Sequence, residues 1–128
     1  MTKSQISQAR IRKEISQLRY QRTLLETHCL NIREQLPVWL SFRYTYCRKG
    51  NCKCTQGFPH GPFVYIYFKR KGKTLCRYIP QKEVNSLKVY TDRYHSFQEN
   101  LAQIRKINEK INILLKRWQR ANLLKLPK

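Results

Sequence analysis

Phe63-Val64-Tyr65-Ile66-Tyr67-Phe68-Lys69-Arg70-Lys71-Gly72-Lys73-Thr74-Leu75-Cys76-Arg77-Tyr78-Ile79 is the stretch on which the fold turns. Two β-prone runs, 63–68 and 74–79, flank a basic linker. Gly72 can take positive φ there, and this pattern predicts an antiparallel hairpin. Just upstream, Leu40, Phe42, Tyr44 and Tyr46 alternate with Trp39, Ser41, Arg43 and Thr45, the period-2 signature of a further strand. Residues 37–80, bounded by Pro37 and Pro80, therefore predict a three-stranded antiparallel β-meander. This segment holds nine Lys or Arg residues, no Asp or Glu, and ten of the fifteen aromatic residues of the chain.

On either side the period changes from two to seven. In residues 1–36, Ile11, Leu18, Leu25 and Ile32 form one row, and Ile15, Arg22, Cys29 and Leu36 form the other. These are the two seam positions of a heptad helix, with Thr2 or Ser4 as candidate caps and Pro37 as the stop. In residues 81–128, Tyr90, Phe97, Ile104, Ile111 and Trp118 make one row. Leu87, Tyr94, Leu101, Asn108 and Leu115 make the second, with Asn108 as a polar member that fixes register. Two heptad helices joined by a short insert are expected to pair antiparallel. The predicted fold is α+β, mainly α, a single unit. It is a long coiled-coil-like helical hairpin carrying the meander and a zinc knuckle at its tip, with homodimerisation through the helices as a second use of their apolar surface.

Between the first two strands lies Cys47-Arg48-Lys49-Gly50-Asn51-Cys52-Lys53-Cys54, followed by His60. The spacing C-x4-C-x-C-x5-H offers three thiolates and one imidazole, the donor set of a tetrahedral structural Zn²⁺ site. Cys47, Cys52, Cys54 and His60 are the predicted ligands. Three thiolates on one Zn²⁺ leave a net negative charge, which Arg48, Lys49 and Lys53 offset. Gly50 and Gly57 let the backbone fold around the ion, and Gly61-Pro62 turns the chain into the next strand. A segment of about forty residues rarely holds together on its own core, and a metal supplies the missing stability. Cys29 falls on a helix seam and is read as core. Cys76, inside a strand, is read as packed and as a substitute ligand for His60. His28 and His95 are assigned to solvated or packed helical positions.

Charge narrows the partner. The 128 residues include 27 Lys and Arg against 7 Asp and Glu, a formal net charge of +20. Such a chain repels itself unless a polyanion compensates it. Arg43, Arg48, Lys49, Lys53, Lys69, Arg70, Lys71, Lys73 and Arg77 are the predicted nucleic-acid contacts, acting chiefly on phosphate. Packing around a thin sheet is expected to account for most of the aromatics, and a pair such as Tyr65 and Tyr67 is an alternative stacking surface for bases. No apolar run approaches a membrane span, and the polar start Met1-Thr2-Lys3-Ser4-Gln5 leads into no apolar core of a signal peptide. A cytoplasmic protein with reduced cysteines is expected. No glycine-rich phosphate loop, H-x-H pair or carboxylate triad is present, and the acid-free centre gives a catalytic zinc no acid–base partner. The chain is therefore read as non-enzymatic.

The block Cys47…Cys52-Lys53-Cys54…His60-Gly61-Pro62-Phe63…Tyr65, with the basic hairpin and Arg77-Tyr78-Ile79-Pro80, resembles a family of small uncharacterised bacterial and archaeal proteins. Its members share a C-x4-C-x-C core and an H-G-P before an aromatic strand, between two helices. Many are encoded near transposases or site-specific recombinases. The likeness covers residues 40–95, and the glycine that commonly follows the first cysteine is Arg48 here. The resemblance implies an accessory role on mobile elements. DNA, bound with a transposase or recombinase and hence on the nucleoid, is the expected ligand. An RNA-binding subunit of a ribonucleoprotein and a coiled-coil protein adaptor are the alternatives.

Overall fold

In the computed structural model, which describes residues 2–47, 49–52 and 56–127, the elements run α1 (Lys3–Asn31), β1 (Trp39–Thr45), β2 (His60–Arg70), β3 (Lys73–Ile79) and α2 (Gln81–Ala121). The class is α+β and mainly helical, with two helices and one three-stranded antiparallel sheet. Among the described residues no helix is long and apolar enough to cross a membrane. The chain divides into two compact units: Met1–Ile32 with Phe97–Lys128, and Arg33–Ser96.

The first unit is a pair of helical segments. Thr2 starts α1 with a capping box: its hydroxyl accepts from the Gln5 N–H, and the Gln5 side chain accepts from the Thr2 N–H. On α1 the side chains removed from water are Gln8, Ile11, Ile15, Leu18, Arg22, Leu25 and Cys29, the expected heptad stripe extended by one turn. On α2 the matching stripe is Phe97, Asn100, Ile104, Ile107, Ile111, Leu114 and Trp118. Cross-helix contacts pair Arg12 with Trp118, Arg22 with Asn108 and His28 with Asn100. Their nearly constant index sum requires an antiparallel arrangement.

Four sequence expectations are corrected here. The second row on α2 is Asn100, Ile107 and Leu114; Leu101, Asn108 and Leu115 are exposed. From Phe97, Ile104 and Ile111 both the third and the fourth following residue are neighbours on a helix face, and here the third faces the partner. The buried seam amide is accordingly Asn100, in contact with His28 Nδ1. Asn108 instead accepts a hydrogen bond from Arg22 at 2.9 Å. Finally, α1 stops at Asn31 rather than beside Pro37, and α2 stops at Ala121 rather than at the chain end. Residues 32–38 leave the helix and place Leu36 and Val38 in the core of the second unit, with the Leu36 N–H donating to the Tyr90 carbonyl at 3.1 Å and the Val38 N–H to the Leu36 carbonyl at 2.9 Å. At the far end Asn122 donates its side-chain amide to the Trp118 carbonyl at 2.8 Å, closing α2.

The second unit lays the first part of α2 on one face of the sheet. Val38, Val64, Ile66, Ile79 and Val84 form its buried core, with Leu36, Leu40, Phe68 and Leu87 packed around them. Strand order is β1-β2-β3, with Val64 opposite Phe42 and Ile79, and Tyr65 opposite Ser41 and Tyr78. The β2–β3 turn is tighter than the sequence implied. Arg70 pairs with Lys73, and the two residues between them, Lys71 and Gly72, both have positive φ (51° and 78°). That is the conformation of a two-residue type I′ hairpin, whose twist matches the flanking strands. Thr91 is buried and its hydroxyl back-bonds to the Leu87 carbonyl at 3.0 Å. His95 donates from Nε2 to the Val38 carbonyl at 3.1 Å and packs beside Trp39, in the structural role expected of it.

Candidate metal centre and basic sheet

The β1–β2 pairing delivers the ligands. Thr45 pairs with His60, and Cys47 lies two residues further along the same chain, diagonal to the imidazole and on the same side. The turn Lys49-Gly50-Asn51-Cys52, closed by the Cys52 N–H on the Lys49 carbonyl at 3.3 Å, brings Cys52 back to meet them. Cys52 Sγ lies 3.0 Å from His60 Nε2, and the ligand atoms of Cys47, Cys52 and His60 all fall within 4.8 Å of one another. A tetrahedral zinc with Zn–S near 2.3 Å and Zn–N near 2.0 Å sets its ligands about 3.4–3.8 Å apart. The three donors therefore occupy three corners of such a site to within about 1 Å and can hold a metal ion. Cys54, the fourth ligand in the sequence reading, lies outside the described residues. Cys76 is exposed on β3 and is not part of the group, so the packed position expected for it and its substitution for His60 are both set aside. Cys29 is buried on the α1 seam as expected.

His60 is held by an irregularity rather than by a turn into the strand. Arg43 pairs with Phe63 and Thr45 with His60, so Gly61 and Pro62 together face only Tyr44. This is a β-bulge inside β2, and Pro62, which has no N–H, sits where no ladder bond is required. The Gly61–Pro62 peptide is cis and Gly61 has φ +128°. A Cβ on Gly61 would stand 2.6 Å from the Arg43 carbonyl oxygen, so only glycine allows β1 to approach this closely.

Of the nine predicted nucleic-acid contacts, Arg43, Lys49, Lys69, Arg70, Lys71, Lys73 and Arg77 are described, and all seven are exposed. Arg48 and Lys53 lie outside the described residues. The only ion pair among the described residues is Arg22–Glu26 on α1, so none of the seven faces a carboxylate. Strand alternation divides them. Arg43 and Lys69 share the face of Tyr65 and Tyr67, whereas Arg70 and Arg77 flank Phe68 on the other, at 5.6 and 6.0 Å from its ring centre.

The aromatics depart furthest from expectation. None of the ten in residues 37–80 is buried; Trp39, Phe42, Tyr44, Tyr46, Phe58 and Tyr78 are exposed and the rest are half-buried. The core is aliphatic: within this unit Val84 and Leu87 of α2 pack with Val38, Val64, Ile66 and Ile79 on one side of the sheet. On the other side Arg43 lies over Tyr65 and Tyr67, at 4.6 and 5.4 Å from the ring centres, and Tyr65 meets Tyr78 edge-on at 5.7 Å. The strand register alone would have put Arg43 and Tyr78 on this face, since both are in phase with Tyr65.

Residues 8–89 match the family described as a domain of unknown function, DUF6788. The chain belongs to that family. Comparison with curated proteins and with solved structures finds no match. The family match takes in α1 from Gln8 onward, the whole sheet, the segment that carries Cys47, Cys52 and His60, and the start of α2.

Proposed function

We propose that this DUF6788 protein is a non-enzymatic, zinc-stabilised nucleic-acid-binding accessory protein, acting on DNA with a mobile-element transposase or recombinase. Its place is the cytoplasm, on the nucleoid when bound. One observation carries the reading: seven exposed cations without a carboxylate partner share a compact unit with the Cys47–Cys52–His60 group. Zinc is the metal because two thiolates and an imidazole suit a borderline-soft ion. Cys54 completes the set in this proposal. The metal stiffens the β1–β2 connection, and the cations displace counterions from a phosphate backbone. DNA is favoured over RNA through the likeness to proteins encoded beside transposases and recombinases.

The test is a salt series of gel shifts on duplex DNA with Lys69, Arg70, Lys71 and Lys73 replaced together by Ala. Each lost phosphate contact lowers the slope of log K against log salt by about 0.9. The variant is expected to bind more weakly and to flatten that slope by up to about 3–4. An unchanged affinity and slope in a folded variant removes the hairpin from the mechanism. A partner protein held undiminished in high salt points instead to a protein adaptor.

A further inference from the structure

The side of the sheet turned away from the aliphatic core is built from rings and cations. Val64, Ile66 and Phe68 point to the α2 side, so Phe63, Tyr65 and Tyr67 point to the other, in phase with Ser41 and Arg43 on β1 and with Cys76 and Tyr78 on β3. Tyr65, Tyr67 and Tyr78 are absent from the buried cluster, and Tyr78 is 52% exposed. A soluble sheet usually presents Thr, Lys, Glu or Ser on such a face. This one presents three tyrosines and an arginine, with no acidic residue anywhere in its three strands.

We infer that this face, Arg43 with Tyr65, Tyr67 and Tyr78, is a stacking platform for unpaired bases, so that the nucleic acid is engaged as a single strand. The inference rests on the nucleic-acid reading above and specifies its ligand. Paired bases hide their faces in the duplex, whereas an unpaired base exposes a π surface that stacks on tyrosine or on a guanidinium plane. Arg43, exposed and already lying over two tyrosines, presents such a flat cation to an arriving base. Tyr78, set edge-on to Tyr65, keeps ring surface in water for a neighbouring base. Lys69, in phase on the same face, and Lys71 at the adjoining turn supply charge for the phosphates. Charge and aromatic surface coincide on one strand-wide strip, which selects a polyanion with exposed bases over a smooth anionic surface.

The experiment measures anisotropy of dye-labelled poly-dT, poly-U and a duplex of equal length at one salt concentration. It uses the full chain, the double variant Tyr65→Leu/Tyr78→Leu, and Arg43→Lys, which keeps the charge and removes the plane. The wild type is expected to prefer a single strand over the duplex. With two stacking rings removed, the double variant should lose about ten-fold or more in single-strand affinity while duplex binding stays unchanged. Arg43→Lys should narrow the same preference with its salt slope retained. The poly-dT and poly-U arms assign the sugar. Equal binding of strand and duplex, unaltered in both variants, overturns the platform and leaves the nucleic-acid reading standing. No binding of any of the three overturns both. Arg43→Lys, which alters neither core nor metal ligands, decides the matter if the double variant fails to fold.

Discussion

Replacing Cys52 by Ala tests the metal centre most directly. Its sulfur lies 3.0 Å from His60 Nε2 and within 4.8 Å of the Cys47 sulfur, so the change removes one corner of the proposed tetrahedron and leaves two described donors. A structural zinc contributes an apparent ~10–16 kcal/mol to folding, about 2.5–4 kcal/mol for each of four ligands. At 1.4 kcal/mol per power of ten, Cys52→Ala should weaken zinc binding by about 100- to 1,000-fold. The loss is large on the scale of the local core, where burial of an aliphatic side chain is worth about 1.5–3 kcal/mol and, among the described residues, the buried cluster is Val38, Val64, Ile66, Ile79 and Val84. The assay is elemental analysis of purified protein together with a competition titration against a chromogenic chelator and a thermal melt. Wild type should carry about one zinc per chain; Cys52→Ala and Cys54→Ala should lose it and melt earlier. Cys76→Ala, which alters an exposed strand cysteine outside the group, should keep both zinc and melting point. Equal zinc content in wild type and Cys52→Ala would refute the reasoning outright.

Gly61→Ala forces a Cβ to 2.6 Å from the Arg43 carbonyl at φ +128°, and a residue in such a region costs about 1–3 kcal/mol before the clash is counted; calorimetry should show a clear drop in melting temperature together with weaker zinc retention. Lys71→Asn places a residue that tolerates the left-handed region at φ 51° in the type I′ turn, so stability should rise by about 0.5–1 kcal/mol in urea unfolding, and a fall would contradict the turn assignment. Asn100→Leu replaces the buried seam amide and should raise the stability of the helix pair while altering its oligomeric state in sedimentation. Asn108→Leu, at an exposed site, should do neither beyond the loss of one Arg22 bond, about 0.5–1.5 kcal/mol.

Wherever one local rule dominates, the sequence was readable. The alternation through Leu40–Tyr46 and the runs at 63–68 and 74–79 became β1, β2 and β3, because β-branched and aromatic residues on a half-covered sheet leave few other solutions. The α1 seam was readable because Ile11, Ile15, Leu18, Leu25 and Cys29 fall on the two heptad rows, while the exposed Ile6, Tyr20, Leu24 and Leu30 do not. On α2 the choice between Asn108 and Asn100 depended on which face met α1, and both faces carry apolar residues, so periodicity alone could not decide. The end of α1 at Asn31 followed from the demand of the sheet core for Leu36 and Val38, a tertiary requirement that overrode the proline signal. In the site, Cys47, Cys52 and His60 were legible from spacing because ligand chemistry restricts residue type so strongly. The platform was less so. Tyrosines in strands are ordinarily packed into a core, and only the three-dimensional packing shows Tyr65 and Tyr67 half-buried outside the aliphatic cluster and Tyr78 exposed.

His60-Gly61-Pro62 ties the two halves of the proposed function to one another. His60 supplies a ligand atom to the metal group, and Gly61, the next residue, lies against the Arg43 carbonyl. The side chain of that same Arg43 covers Tyr65 and Tyr67. The candidate metal group, the bulge and the proposed stacking surface thus meet on one short piece of the β1–β2 ladder. A bulge relaxes to a regular ladder only by slipping the strand by a residue, and such a slip would carry every side chain of β2 to the opposite face. Here it would turn Tyr65 and Tyr67 toward the aliphatic core and Val64 and Ile66 toward water. An ion held by His60 and the two cysteines resists that slip at the one place where the register is irregular. Zinc at this site would therefore do more than add stability: it would fix which face of β2 is aromatic, and on the proposed reading a chain stripped of zinc should bind single strands no better than duplex even where its helices persist.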